Sequence, residues 1–281
     1  MNQIASALAS GTTTYFQPPD PTPALAISNE KKIQRRLAIL VGCVAFGLPI
    51  VMMIGTFYGN TCFRQSISHY YYAQFLGTLF VGMLVFIGGF LIAYTGEHWL
   101  EDVGSLIAGL GAICIAIFPT TGVGCGNTAA FLSRVFVEYT PGDPATVAMV
   151  KNRDYFQLFE KVEHFHSFAA GALFIYLGIY CLFVMKRIIP ERHIRDGQLI
   201  DTKRRRNVVY SICGIVILLC VAVLGWVGLV ASDEVVAAWN RNHMTFYFET
   251  AALWAFGLAW LIKGRLIPWL NDTTPQAAMA P

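Results

Sequence analysis

Six stretches of the chain are apolar for long enough to cross a bilayer: 37–58, 73–94, 103–120, 167–185, 208–230 and 245–262. A helix rising about 1.5 Å per residue needs roughly 20 such residues to span about 30 Å of hydrocarbon. None of the six contains Lys or Arg, and Glu249 is the one acidic residue within them. A buried helix of a soluble protein would carry a polar stripe. These stretches are apolar all round. A transmembrane barrel would read as alternating segments of about ten residues, and the chain has no such pattern. The pattern predicts an all-α fold: a polytopic membrane helix bundle with six transmembrane helices over residues 37–265.

The polar stretches fill in the rest. Residues 1–36 open without a basic start or an apolar core, and Pro18, Pro19, Pro21 and Pro23 sit among small polar residues. That composition predicts a flexible tail rather than a signal peptide. Residues 266–281 read the same way. The long link 121–166 should carry structure of its own, since structureless loops of that length are uncommon. Tyr155, Leu158, Phe159, Val162 and Phe165 (or His166) recur at helical steps, which predicts an amphipathic helix over about 145–165. Pro141-Gly142-Asp143-Pro144 forms a turn before it.

Composition agrees. The chain of 281 residues is 56% hydrophobic and 13% charged; a soluble domain averages about 25% charged residues. Its mean hydropathy is +0.54. Disordered chains and basic nucleic-acid binders are excluded, which leaves membrane lipids as the partner that the composition implies. No protein partner and no cofactor is indicated.

The net charge of +3 is mostly an orientation signal. Lys31, Lys32, Arg35 and Arg36 precede the first span. Lys186, Arg187, Arg192, Arg195 and Lys203–Arg206 lie between spans four and five, and Lys263 and Arg265 follow span six. The opposite side is poorer in Lys and Arg. Cationic loops stay inside, so both termini are expected in the cytoplasm.

Helix association in lipid relies on small residues that let backbones approach. Span two offers Gly77, Gly82, Gly88 and Gly89; span three offers Gly104, Ser105, Ala108, Gly109 and Ala112; span six offers Ala251, Ala255 and Ala259. Tyr94, Trp99, Trp239, Trp260 and Trp269 fall near span ends, as an aromatic belt requires. Five of seven Cys lie inside spans. Cys62 and Cys125 fall in two outer loops, where they pair as a disulfide or stay as two thiols.

The chemistry concentrates at one face. His69 precedes span two, His164 and His166 precede span four, and His243 precedes span six with Glu249 just inside it. Thr120 ends span three. Chain direction brings all of these to the outer face. A carboxylate inside a span is costly and wants a partner, which makes Glu249 the sharpest candidate. A metal site is not indicated: His164 and His166 point about 200° apart on a helix, and no His-x-x-x-His or His-Glu-x-x-His occurs.

Ser66-Ile67-Ser68-His69-Tyr70-Tyr71-Tyr72, then Phe118-Pro119-Thr120, then His166 with Ala169-Ala170, then Glu249 with Ala255-Phe256-Gly257 and Lys263-Gly264 form an ordered series. The series resembles a family of bacterial six-span inner-membrane proteins that share Ser-Ile-Ser-x-Tyr-Tyr, Phe-Pro-Thr, a His before span four, and a late Glu. A Ser-rich element after the first span also resembles, more distantly, the Frag1/DRAM/Sfk1 membrane proteins. The resemblance covers residues 37–265 and implies location in the bacterial cytoplasmic (inner) membrane. It carries no activity with it. The family positions fall on Ser66, Ser68, Tyr70, Tyr71, Phe118, Pro119, Thr120, Glu249 and either His164 or His166.

The expected binding set is thus Ser66, Ser68, His69, Tyr70, Tyr71, Thr120, His164, His166, His243 and Glu249. Three functions compete for it. One is a non-enzymatic protein that holds a lipid or small solute in an outward-facing polar pocket. Another is a metal-assisted membrane hydrolase acting on a lipid, with Glu249 as general base. The third is a polar cluster that serves only the fold.

Overall fold

The computed structural model describes residues 23–59, 61–95, 98–120, 122–123, 130–131 and 165–272. Six helices are long and apolar enough to cross a membrane. They are α1 (Pro23–Tyr58), α2 (Gln74–Ala93), α3 (Trp99–Ile117), α4 (Phe165–Ile179, continued by the π-helical turn Tyr180–Val184), α5 (Asp201–Leu229) and α6 (Met244–Lys263). The protein is an all-α, multi-pass membrane bundle.

Several helices outrun their apolar stretches. Helix α1 begins at Pro23, so residues 23–36, expected within the flexible tail, are helical. Helix α5 starts at Asp201 and takes the Lys203–Arg206 run into its first turns. Hydrophobicity marks the part of a helix that lipid covers, while backbone hydrogen bonding continues until a turn residue ends it. Helix α3 starts at Trp99 with Glu101 and Asp102 in its first turn, where acids favour the helix dipole. Smaller elements also fill the links. A hairpin pairs Ile194–Arg195 with Gln198–Leu199, and a helix over Asp233–Arg241 occupies the short link before α6. The helix expected over about 145–165 lies outside the described residues.

Each spanning helix packs on its chain neighbours, and α6 returns to α1, so the six close a ring in sequence order. Three alternate seams are held by glycine pairs. A Cβ on Gly109 would meet the Gly88 carbonyl at 2.8 Å between α2 and α3. On Gly214 it would meet the Gly178 carbonyl at 2.9 Å between α4 and α5, and on Gly257 the Gly42 carbonyl at 2.9 Å between α6 and α1. No larger residue allows that approach. Of the small residues expected at interfaces, Ala108, Ala112 and Ala259 are fully enclosed, whereas Gly82 and Gly89 have open space where a side chain would be.

Large apolar residues such as Phe57, Phe183 and Leu219 face outward. In water they would be a liability; in lipid they are the ordinary surface. Helix α6 is the most enclosed, with 56% of its apolar window buried against 28% in α4 and in α5. Trp260 and Tyr94, expected in an interfacial belt, turn inward instead and pack edge to face at 6.0 Å. Trp99 and Trp269 remain exposed.

Candidate functional site

The segment between α1 and α2 builds the site. Ser66 and Ser68 are two residues apart, and the Ser68 amide donates to Ser66 Oγ at 3.1 Å. A tight 3₁₀ turn over Ser68–Tyr72 follows, with Ile67 at its start. The His69 and Tyr70 amides then donate to the carbonyls of Ser66 and Ile67. The turn leads into α2, where Gly77 sits beneath it: a Cβ there would fall 2.2 Å from the Tyr71 carbonyl.

The same segment is clamped to the start of α6 at two points. First-turn amides of a helix have no partner within the helix. Here the Phe246 amide donates to the Gln65 carbonyl at 2.9 Å. In the next turn, the Glu249 carboxylate accepts the Ile67 amide at 2.6 Å and the Ser66 hydroxyl at 3.0 Å. Ser66 and Ser68 hydroxyls are 2.7 Å apart. The carboxylate therefore does not reach for the interface. It is tied down by a backbone donor and a hydroxyl, close to the positive end of α6.

His166 joins from α4. Its Nδ1 lies 2.9 Å from the Phe118 carbonyl, which can only accept, so Nδ1 carries the hydrogen. The neutral ring then offers Nε2 as an acceptor. His69 is its electrostatic neighbour. Ser68, His166 and Glu249 all line one small cavity of about 50 Å³. Its remaining walls are apolar, among them Phe80, Leu84, Leu173, Leu177 and Phe256. The cavity is small, and its polar lining is the Ser68 hydroxyl, the His166 ring and the Glu249 carboxyl.

The other expected residues take separate places. Tyr70 is fully enclosed, but its hydroxyl pairs with Thr56 Oγ1 at 2.6 Å and accepts the Arg64 amide at 3.4 Å, away from Glu249. The Tyr71 ring meets Tyr72 edge-on at 5.2 Å. Thr120 receives the Tyr72 hydroxyl on its carbonyl at 2.8 Å. His243 adopts a left-handed backbone (φ 53°) just before α6 and packs edge-on against Phe63 at 5.0 Å. Cys62 is disulfide-bonded, and five other cysteines are free thiols. Cys125 and His164 lie outside the described residues. Among the described residues, no three or more His, Cys, Asp or Glu side chains converge on a metal position.

A second polar cluster, which the sequence did not reveal, occupies the opposite face. Lys263 Nζ donates to the Tyr94 hydroxyl at 2.9 Å and to that of Tyr180. It also sits 4.6–4.7 Å from the ring centres of Tyr94, Tyr180 and Trp260. The π-helical turn beginning at Tyr180 helps to set that ring at the end of α4. Nearby, Glu101 pairs with Arg187. Arg206 is held by the Leu270 carbonyl at 2.6 Å and by Asp272 at 2.9 Å. Burial opposes the charge on Asp272, but hydrogen bonds from Arg206 and Thr202, and the charges of Arg206 and Arg265, outweigh it and hold the carboxyl below its ordinary value. In sequence these cations look like topology determinants, with the Lys203–Arg206 run also suited to anionic headgroups. A Lys one turn beyond Trp260 was the available sign.

No protein-family model, curated protein or solved structure matches this chain.

Proposed function

We propose that the protein is a bacterial inner-membrane protein, with both termini in the cytoplasm, that binds a lipid or small solute at the polar end of its interior cavity. The observation that carries this reading is the placement of Glu249. An ionisable group within a span is a functional pointer by default. This one is held by Ser66 and Ile67 and lines, with Ser68 and His166, the polar end of a cavity whose remaining walls are apolar. A carboxylate and an imidazole acceptor favour a ligand that brings donors, namely a hydroxyl or an ammonium group. A cavity of about 50 Å³ takes only such a polar end, and any alkyl portion requires the surrounding side chains to give way. The family resemblance at the Ser-Ile-Ser element, at either His164 or His166, and at Glu249 supports the same reading.

The metal-assisted hydrolase reading has less support, because the described residues supply no ligand set. The test is a lipid and metabolite inventory by mass spectrometry of the gently purified protein. A hydroxyl- or amine-bearing species enriched over an unrelated six-span protein, and depleted in Glu249→Gln, is expected. An inventory that matches the control protein refutes the binding reading. Reporter fusions at each end should both report the cytoplasm; opposite sides would refute the topology.

A further inference from the structure

The polar lining of the cavity has an internal hydrogen-bond order. The Ser66 hydroxyl gives its one hydrogen to the Glu249 carboxylate. Ser66 Oγ in turn accepts the Ser68 amide, and the Ser68 hydroxyl, 2.7 Å away, supplies the hydrogen of that second contact. Ser68 Oγ is left with lone pairs only. The Phe118 carbonyl holds the His166 hydrogen on Nδ1, so Nε2 is an acceptor as well. Glu249 accepts from two neutral groups, Ser66 and Ile67, and the described ion pairs do not include it. The side chains of the polar lining therefore offer acceptors and no spare hydrogen. Three phenyl rings, Phe80 of α2, Phe174 of α4 and Phe256 of α6, are among the other walls. None of the described lining residues is Lys or Arg. Glu249 and His166 are half-buried rather than fully enclosed.

Given the binding reading above, we propose that the group this cavity takes is a primary ammonium on a short alkyl chain, carried by a free amine or by the ethanolamine headgroup of a phospholipid. An alkylammonium has three N–H donors and no acceptor, which complements a hydroxyl oxygen, an imidazole nitrogen and a carboxylate. An alcohol brings one donor and two lone pairs, and those lone pairs would face acceptors. The ammonium also gives the ionised Glu249 a counter-charge within a span, where an unpaired carboxylate is costly. Phenyl rings attract a cation and not its neutral isostere. Size limits the remainder of the ligand. One water needs about 10–15 Å³ of such space, so a cavity of about 50 Å³ takes roughly three to five non-hydrogen atoms. A quaternary ammonium is bulkier and has no N–H to give.

The test uses the full chain in phosphatidylcholine nanodiscs at about pH 8, where a primary ammonium keeps its proton. Propylammonium and 1-propanol share a heavy-atom skeleton, so the alcohol controls for size. Propylammonium should raise the thermal midpoint saturably, half-saturating at a concentration about tenfold below that of 1-propanol, the gap between a charge-assisted and a neutral hydrogen bond. Glu249→Gln should bring the two ligands together. Ala170→Leu, which fills the cavity from α4 without altering its charge, should abolish both responses, so the proposal stays testable if Glu249→Gln does not fold. Native mass spectrometry of protein released from phosphatidylcholine doped with phosphatidylethanolamine of the same acyl chains separates the sources. Preferential retention of phosphatidylethanolamine, lost in Ala170→Leu, assigns the headgroup; equal retention beside a propylammonium response assigns a free amine. Equal responses of wild type to propylammonium and 1-propanol would overturn the ammonium class and leave the cavity to a hydroxyl-bearing ligand. A propylammonium response undiminished in Ala170→Leu would overturn the proposal by placing the binding elsewhere. No response to either small ligand, with equal retention of the two lipids, would overturn it as well, and the inventory of retained species then decides the wider binding reading independently.

Discussion

Replacing Glu249 by Ala and by Gln separates the carboxylate's role as an acceptor from its charge. Both variants remove the same ionisable carboxyl from a span, so that effect cancels when the two are compared. They differ in what remains for the Ile67 amide. Gln keeps a side-chain oxygen where that amide now donates at 2.6 Å. Ala keeps none, and Ile67 is buried at 3% exposure. The Ser66 hydroxyl is less affected, since Ser68 Oγ is 2.7 Å away and can take over its hydrogen bond. The difference between the variants is therefore the cost of one buried, unsatisfied amide, about 1–3 kcal/mol. Unfolding of the purified protein, followed by the fluorescence of its six Trp, gives both midpoints. Glu249→Ala should be the less stable by that amount. Variants that agree within about 0.5 kcal/mol, the scatter of ordinary surface substitutions, would refute the clamp between the Ser66 segment and α6.

Three further outcomes follow from the packing and charges. Gly109→Ala, whose Cβ would fall 2.8 Å from the Gly88 carbonyl, should cost about 1–3 kcal/mol; Gly89→Ala, with open space, should be near neutral, and thermal midpoints of the two compare them. Lys263→Met should cost about 1–2 kcal/mol, from a half-buried cation over three rings, and an unchanged midpoint would show the cluster to be inert. Asp272→Asn should destabilise at neutral pH. Because the folded carboxyl lies below its ordinary value, its stabilisation is present above the unfolded value and is lost as pH falls through the folded one; the gap between wild type and variant should close on acidification, and a gap that widens would reverse the sign.

Much of the architecture was legible because membrane crossing imposes a one-dimensional rule. Roughly 20 residues must be apolar regardless of their neighbours, so the six helices follow from local composition. The rule does not govern helix ends. Residues 23–36 and the Lys203–Arg206 run are helical although polar, because helices end where turn chemistry ends them. Ser66, Ser68 and Glu249 are joined by hydrogen bonds, and Ser68 and Glu249 line one small cavity with His166.

Tertiary structure decided which of those groups touch. Tyr70 lies two residues from Ser68 and His243 six residues before Glu249, yet the Tyr70 hydroxyl turns to Thr56 and the His243 ring packs on Phe63. Rotamer and backbone angle set those directions, and neither is encoded in spacing. Lys263 read as one more cytoplasmic charge until Tyr94 at the end of α2, Tyr180 at the end of α4 and Trp260 of its own helix closed around it. Hydrophobic pattern specifies that a segment is buried in lipid; only the glycine-held contacts between helices specify which side chains share the interior, because close packing is a property of pairs of surfaces and not of either strand of sequence alone.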